Sequence, residues 1–147
     1  MATNREIIEA YSSALTHDLD HLDALRHPDF VEDWPQSGER VRGRANMRSI
    51  DEHYPGNLTQ GAALRIVGSE DRWVLTPTYS PLRIEGTGDV YTGVWRATYP
   101  DGKRWHVISL IQLKDQLVWR ATTFFAEEFD APAWRSDWVE AGPTSEG

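Results

Sequence analysis

The sequence predicts an α+β fold in which three N-terminal helices pack on a curved, mostly antiparallel sheet. Apolar residues recur at three- and four-residue spacing up to Tyr54, and runs rich in Val, Ile, Thr and aromatic residues fill the remainder. Gly, Pro, Asp and Ser separate those runs, as they do between strands of a sheet. A chain of 147 residues fits one domain and can bury roughly 68–70% of its unfolded surface. Residues 1–141 are read as that domain and 142–147 as a frayed, disordered tail.

The elements follow in order. Thr3-Asn-Arg-Glu6 has the form of a capping box, and Ile7, Ile8, Tyr11, Ala14 and Leu15 then keep helical spacing, so a first helix is expected over about 4–16. Asp18 can cap a second helix carrying Leu19, Leu22 and Leu25, which Pro28 should end by pushing His27 out of the helical region. Phe30 to Trp34 suits a short strand running into the turn Pro-Gln-Ser-Gly, with Glu39 to Arg42 returning beside it. Met47, Ile50 and Tyr54 predict a third helix from Arg44, stopped by Pro55-Gly56. Strands are expected at 63–67, 72–79, 89–99, 103–113 and 117–126, with Asp101-Gly102 making a tight primed turn. The strand at 105–113 is apolar on both faces, so it should be covered twice: by the helices and by a second subunit laid on the back of the sheet. A last turn from Asp130 is expected to pack Trp134 and Trp138.

Composition excludes several function classes. A net charge of −8 would repel a polyanion, so nucleic acid is not an expected partner. There is no cysteine, hence no disulfide, thiolate nucleophile or cysteine-bound metal. Arg5, Glu6 and Glu9 interrupt any N-terminal apolar run, and no stretch is long enough to span a membrane, so a soluble cytoplasmic protein is expected. His17 and His21 share i,i+4 spacing but lack the metalloprotease Glu, and Gly86-Thr-Gly88 lacks the third glycine of a dinucleotide motif; neither metal nor cofactor is expected. Aromatic residues make up 11% of the chain, enough either to fill the core or to line a pocket for an apolar small molecule.

The segment Tyr11 to Phe30 with its His-Pro-Asp-Phe exit, the stretch Phe30 to Arg44, and the close Thr122-Thr-Phe-Phe-Ala-Glu-Glu-Phe-Asp-Ala-Pro-Ala-Trp134 resemble the SnoaL-like members of the nuclear transport factor 2 and ketosteroid isomerase superfamily. That resemblance implies a cone-shaped, cystatin-like α+β barrel. It carries no single activity, because similar folds serve isomerases, polyketide cyclases, dehydratases, epoxide hydrolases and proteins without catalysis.

Asp33 lies between Val31 and Trp34-Pro35, where rings would shield it and raise its pKa into a useful general-base range. The resemblance puts it where ketosteroid isomerases carry their proton-moving Asp, puts Tyr11 at the oxyanion-stabilising phenol, and puts Ser109 where those enzymes have a second acid. The same residues also fit plainer roles: Asp33 capping a turn or pairing with Arg40 or Arg42, and Tyr11 as a core ring. His53 and Tyr54, at the end of the third helix, are candidates for the mouth of the cone, although His53 equally suits the helix C-terminal carbonyls. Trp34, Trp95, Trp105 and Trp119 are candidate pocket walls. His106 is expected to face away from the pocket, since alternation puts it opposite Val107 and Ser109. Two readings remain. One is a cofactor-free isomerase, cyclase or dehydratase using Asp33 on an apolar carbonyl compound, and the other is a non-catalytic dimeric ligand-binding protein.

Overall fold

Thr3 opens α1 (Asn4–Ala14) with a complete capping box: its Oγ1 accepts from Glu6 N at 3.2 Å while Glu6 Oε2 accepts from Thr3 N at 2.7 Å. The computed structural model describes residues 2–15, 18–54, 60–68, 73–75, 81–83 and 88–142. Helix α1 turns Ile8, Tyr11 and Ala14 inward, and Asp18 caps α2 (Leu19–Leu25) by accepting from His21 N at 3.0 Å. Pro28 does end the helical region, but the chain becomes extended sooner than expected: β1 runs over Arg26–Trp34, with an irregularity in its pairing between Arg26 and Val31 that accommodates the proline. Gly38, with φ +73°, turns the chain into β2 (Glu39–Arg42), and Gly43 precedes α3 (Arg44–Glu52).

The remaining strands are β3 (Gln60–Gly68), β4 (Trp73–Leu75), β5 (Pro81–Arg83), β6 (Val90–Thr98), β7 (Arg104–Lys114) and β8 (Leu117–Glu127). Among the described residues, six of the eight strands form one sheet in the order β2-β1-β8-β7-β6-β3. Only the β1–β8 pairing is parallel, so the curved, unclosed sheet is mixed and mostly antiparallel, as expected. Of the strand expected at 72–79, Trp73–Leu75 forms β4, which pairs with β5 in a separate two-stranded ribbon, and the rest lies outside the described residues. His17, Pro55-Gly56, Gly86 and residues 143–147 of the tail lie outside the described residues.

The turn expected at Asp101-Gly102 is not the tight primed one. Between β6 and β7, Gly102 N donates to Tyr99 O and Tyr99 N to Lys103 O, both at 2.9 Å, and only Gly102 takes a positive φ, so this is a longer bulged loop. The primed two-residue turn joins β7 to β8, where Asp115 and Gln116 hold φ of 51° and 60° without a glycine.

The helices cover one face of the sheet. Ile8, Leu22, Phe30, Tyr91, Ile111 and Val118 form its fully buried centre. Trp95 folds back over Gly93 so closely that a Cβ at Gly93 would fall inside the indole ring, and its Nε1 donates to Ser12 Oγ at 3.1 Å, tying β6 to α1. Among the described residues no helix is long and apolar enough to cross a membrane. The C-terminal turn forms as a 3-10 helix over Ala133–Trp138, but its rings are not packed as expected: Trp134 is 75% and Trp138 79% exposed.

Candidate active site

Period-two alternation along β1 decides which acid faces the interior. Phe30 is fully buried under the helices, so Glu32 and Trp34 share its face, while Val31 and Asp33 point to the back of the sheet. Trp34 Nε1 donates to Glu32 Oε2 at 2.6 Å, and Trp34 meets Phe125 of β8 edge-on with ring centroids 6.2 Å apart. Glu32 Oε1 carries no hydrogen bond to any described residue. The residue keeps some accessible surface, yet burial pushes its carboxyl from 4.5 up to about 7, against the lowering effects of the Trp34 hydrogen bond and the Arg26 charge.

Of the groups around it, sequence reasoning passed over Arg26, Asp51, Thr123 and Tyr99. Arg26, at the start of β1, is 2% exposed and lies over the rings of Tyr11 and Phe30 at 5.6 and 5.2 Å. Its Nε donates to Tyr11 Oη at 3.4 Å and its Nη1 reaches Asp51 Oδ2 of α3 at 3.4 Å. Because Tyr11 Oη accepts from Arg26, its own proton is left without an acceptor among the described residues, and burial pushes the phenol up to about 12, so it stays a neutral donor. Burial also raises Asp51, with Arg26 opposing it. On the neighbouring strands, Ser109 Oγ and Thr123 Oγ1 share a buried hydrogen bond of 2.8 Å. Near one end of this face, Tyr54 stacks on Tyr99 at 5.8 Å and Tyr99 meets the edge of Trp105 at 5.5 Å. Trp105 Nε1 is enclosed there without a hydrogen-bond partner among the described residues, an arrangement that leaves a donor for a bound molecule.

A mixed sheet wrapped on one side by three helices has structural counterparts among solved proteins. An NTF-2 like protein of unknown function from Burkholderia xenovorans LB400 is 27% identical, with a TM-score of 0.72 over 95% of both chains. A protein named "putative ketosteroid isomerase" from Kribbella flavida DSM 17836 is 24% identical, with a TM-score of 0.72 over 96% of this chain and 90% of its own. The chain is a member of the NTF2-like superfamily. A third relative of this NTF2-like fold, an LEH-like epoxide hydrolase from M. tuberculosis, is 16% identical, with a TM-score of 0.58 over 83% of this chain and 81% of its own. No protein-family model and no curated protein sequence matches the chain. The fold is thus one that carries small-molecule enzymes of more than one reaction type.

Within this NTF2-like frame, the expected site divides. Tyr11, Trp34, Trp95, Trp105 and Ser109 lie on the helix-covered face, and Tyr54 joins the aromatic wall at its end. Asp33 does not: its side chain is 36% exposed on the back of the sheet, and Arg40 Nε and Nη2 clamp it at 2.6 and 3.0 Å. That hydrogen bonding holds the Asp33 carboxyl below its ordinary value, the opposite of a base poised for neutral pH. The sheltered acid is therefore one position earlier, and the signal was present in the sequence, because Phe30 fixes the face that 32 and 34 must share. Trp119 is not a pocket wall either. It is the extra residue at the β7–β8 irregularity and lies between Lys114 Nζ at 4.9 Å and Arg120 Cζ at 4.5 Å. His53 is exposed at the end of α3, its Nδ1 2.7 Å from Ser49 O. His106 faces the back of the sheet, where Glu128 gathers it together with Arg96 and Arg104 at 2.9–3.1 Å.

Proposed function

We propose that the protein is a cofactor-free enzyme that moves a proton next to the carbonyl of an apolar small molecule, with Glu32 as the base. The observation that carries this reading is the buried Glu32 carboxyl, raised to about 7 and with one oxygen unengaged among the described residues, on the same interior face as a phenol whose proton has no acceptor among them. Glu32 Oε1 would take a proton from the carbon next to the carbonyl, and the C–H electron pair would become the C=C bond of an enolate. Tyr11 would hold the enolate oxygen, with the Arg26 charge behind it, and Trp34 would keep the carboxylate oriented. Return of the proton from Glu32 to another carbon completes an isomerisation, and its transfer to a β-hydroxyl, which leaves as water while the enolate electrons form the C=C bond, completes a dehydration. Trp105 Nε1 and the Ser109–Thr123 pair supply further donors to the substrate. The aromatic wall of Tyr54, Tyr99 and Trp105 would exclude water and favour a ring-shaped, apolar partner.

The test is a panel of enolisable ketones followed for isomerisation and for hydrogen–deuterium exchange at the carbon beside the carbonyl. Glu32→Gln is expected to abolish turnover while Asp33→Asn retains it. The reverse pattern would overturn the assignment. A binding protein without catalysis is the second reading, favoured by the short Trp34–Glu32 bond, which also serves as a structural tie. That reading predicts ligand retention with no exchange in the wild type.

The protein is further proposed to act as a homodimer through the back of the sheet. Val90, Ile108, Leu110 and Phe124 stand there between 40% and 47% exposed, an apolar row across three strands that the monomer leaves in water. Sedimentation velocity tests this directly, and a monomer at about 100 μM would overturn it.

A further inference from the structure

We propose that the C-terminal segment of each subunit crosses to the other and seats its tryptophans on the back of the partner's sheet. The inference rests on the dimer reading above and goes beyond it by naming what fills that face. After β8 the chain displays Phe129, Trp134 and Trp138 at 75–79% exposure, although rings of this size are ordinarily the first to be withdrawn from water. The same chain carries an unfilled receptor. Across β1, β8, β7 and β6, Val31, Val90, Leu110 and Thr122, with the polar Asp33, Gln112 and Arg120 among them, line a groove of about 290 Å³. Its strands are in register there, with Val31 opposite Arg120, Leu110 opposite Thr122 and Val90 opposite Gln112. A cavity of about 150 Å³ already admits benzene, so one indole fits with room for its neighbours.

A second copy satisfies both features twice through one two-fold contact, because each subunit brings a ring-bearing segment and a groove. A different protein would occupy one and leave the other exposed. Area supports the same occupant. The exposed rings of two copies, at about 150–250 Å² each, supply on the order of 1,000 Å², and the sheet faces they cover bring the contact into the roughly 1,200–2,000 Å² of a stable interface. The path is also continuous: Phe124 is part of the apolar row on the back of the sheet, and Phe129 follows five positions later.

The experiment is analytical ultracentrifugation of the full chain, the Trp134→Ala/Trp138→Ala double variant, the Leu110→Asp variant, and an equimolar mixture of the two variants. All three replaced residues are exposed in the subunit, so circular dichroism and melting temperature should match the wild type at subunit level. The wild type is expected to be a dimer, and each variant to dimerise at least about 30-fold more weakly. The mixture should form a heterodimer tighter than either variant alone, because it restores one intact ring-to-groove contact of two. If the wild type is a dimer but the tryptophan variant dimerises equally well, the crossing segment is refuted and the sheet dimer stands. If the mixture shows only the sum of the two variants, the pairing of rings with groove is refuted. A monomeric wild type refutes both.

Discussion

Replacing Glu32 with Gln should stabilise the protein above neutral pH and leave it unchanged in acid. In the folded chain burial holds the carboxyl up to about 7, whereas in the unfolded chain it titrates near 4.5. Between those values the native state binds more protons than the unfolded state, so stability falls as pH rises through that window. Below 4.5 both states are protonated and the group costs nothing; above 7 both are ionised and the full penalty, about 3 kcal/mol, is in place. Gln keeps an oxygen to accept from Trp34 Nε1 but never ionises, so it escapes the penalty. For a domain of this size that is roughly 6–12 °C in melting temperature at pH 8, shrinking towards zero at pH 4. Differential scanning calorimetry of both proteins across pH 4–8 gives the gap at each point. A gap that does not change with pH, or a variant less stable at pH 8, would refute the claim that the Glu32 carboxyl is desolvated. The accompanying loss of turnover would mark Glu32 as a group held at a cost in stability because function needs it.

Tyr11→Phe keeps the ring under Arg26 but removes the donor, so turnover on an enolisable ketone should fall by about 10²–10³-fold with little change in substrate affinity, as read by steady-state kinetics. Asp33→Asn breaks only a half-exposed ion pair with Arg40 and should cost at most about 1 kcal/mol in urea unfolding, with activity retained. Gly93→Ala forces the Trp95 indole off its place and breaks its bond to Ser12; chemical denaturation should show a loss of about 1–3 kcal/mol. The wild-type kcat/KM should rise through an ionisation near 7 as Glu32 becomes a base, and a profile still flat down to pH 5 would remove it from the reaction.

The order of elements was legible because each is encoded locally. Thr3 and Glu6 cap α1, Asp18 caps α2, and the apolar spacing of Ile8, Tyr11 and Ala14 puts the phenol on the core side of its helix. The double-sided apolar character of β7 likewise announced that its Ile108 and Leu110 face would be left bare by the helices. What the sequence left undecided is which groups meet. Asp33 and Glu32 are adjacent carboxylates, and nothing local distinguishes a shielded acid from one paired to Arg40 on the opposite face, apart from the single anchor of Phe30. The neighbourhood of Arg26, Tyr11 and Asp51 joins the start of a strand to two helices, and Trp119 leaves the pocket because the pairing shifts at Gln112–Leu113. Local spacing sets which way a side chain points along its own element, since that is a matter of backbone period. The company it keeps, and therefore whether a carboxyl is an ion-paired surface group or an enclosed base, depends on the register and crossing of distant elements, which only the folded chain decides.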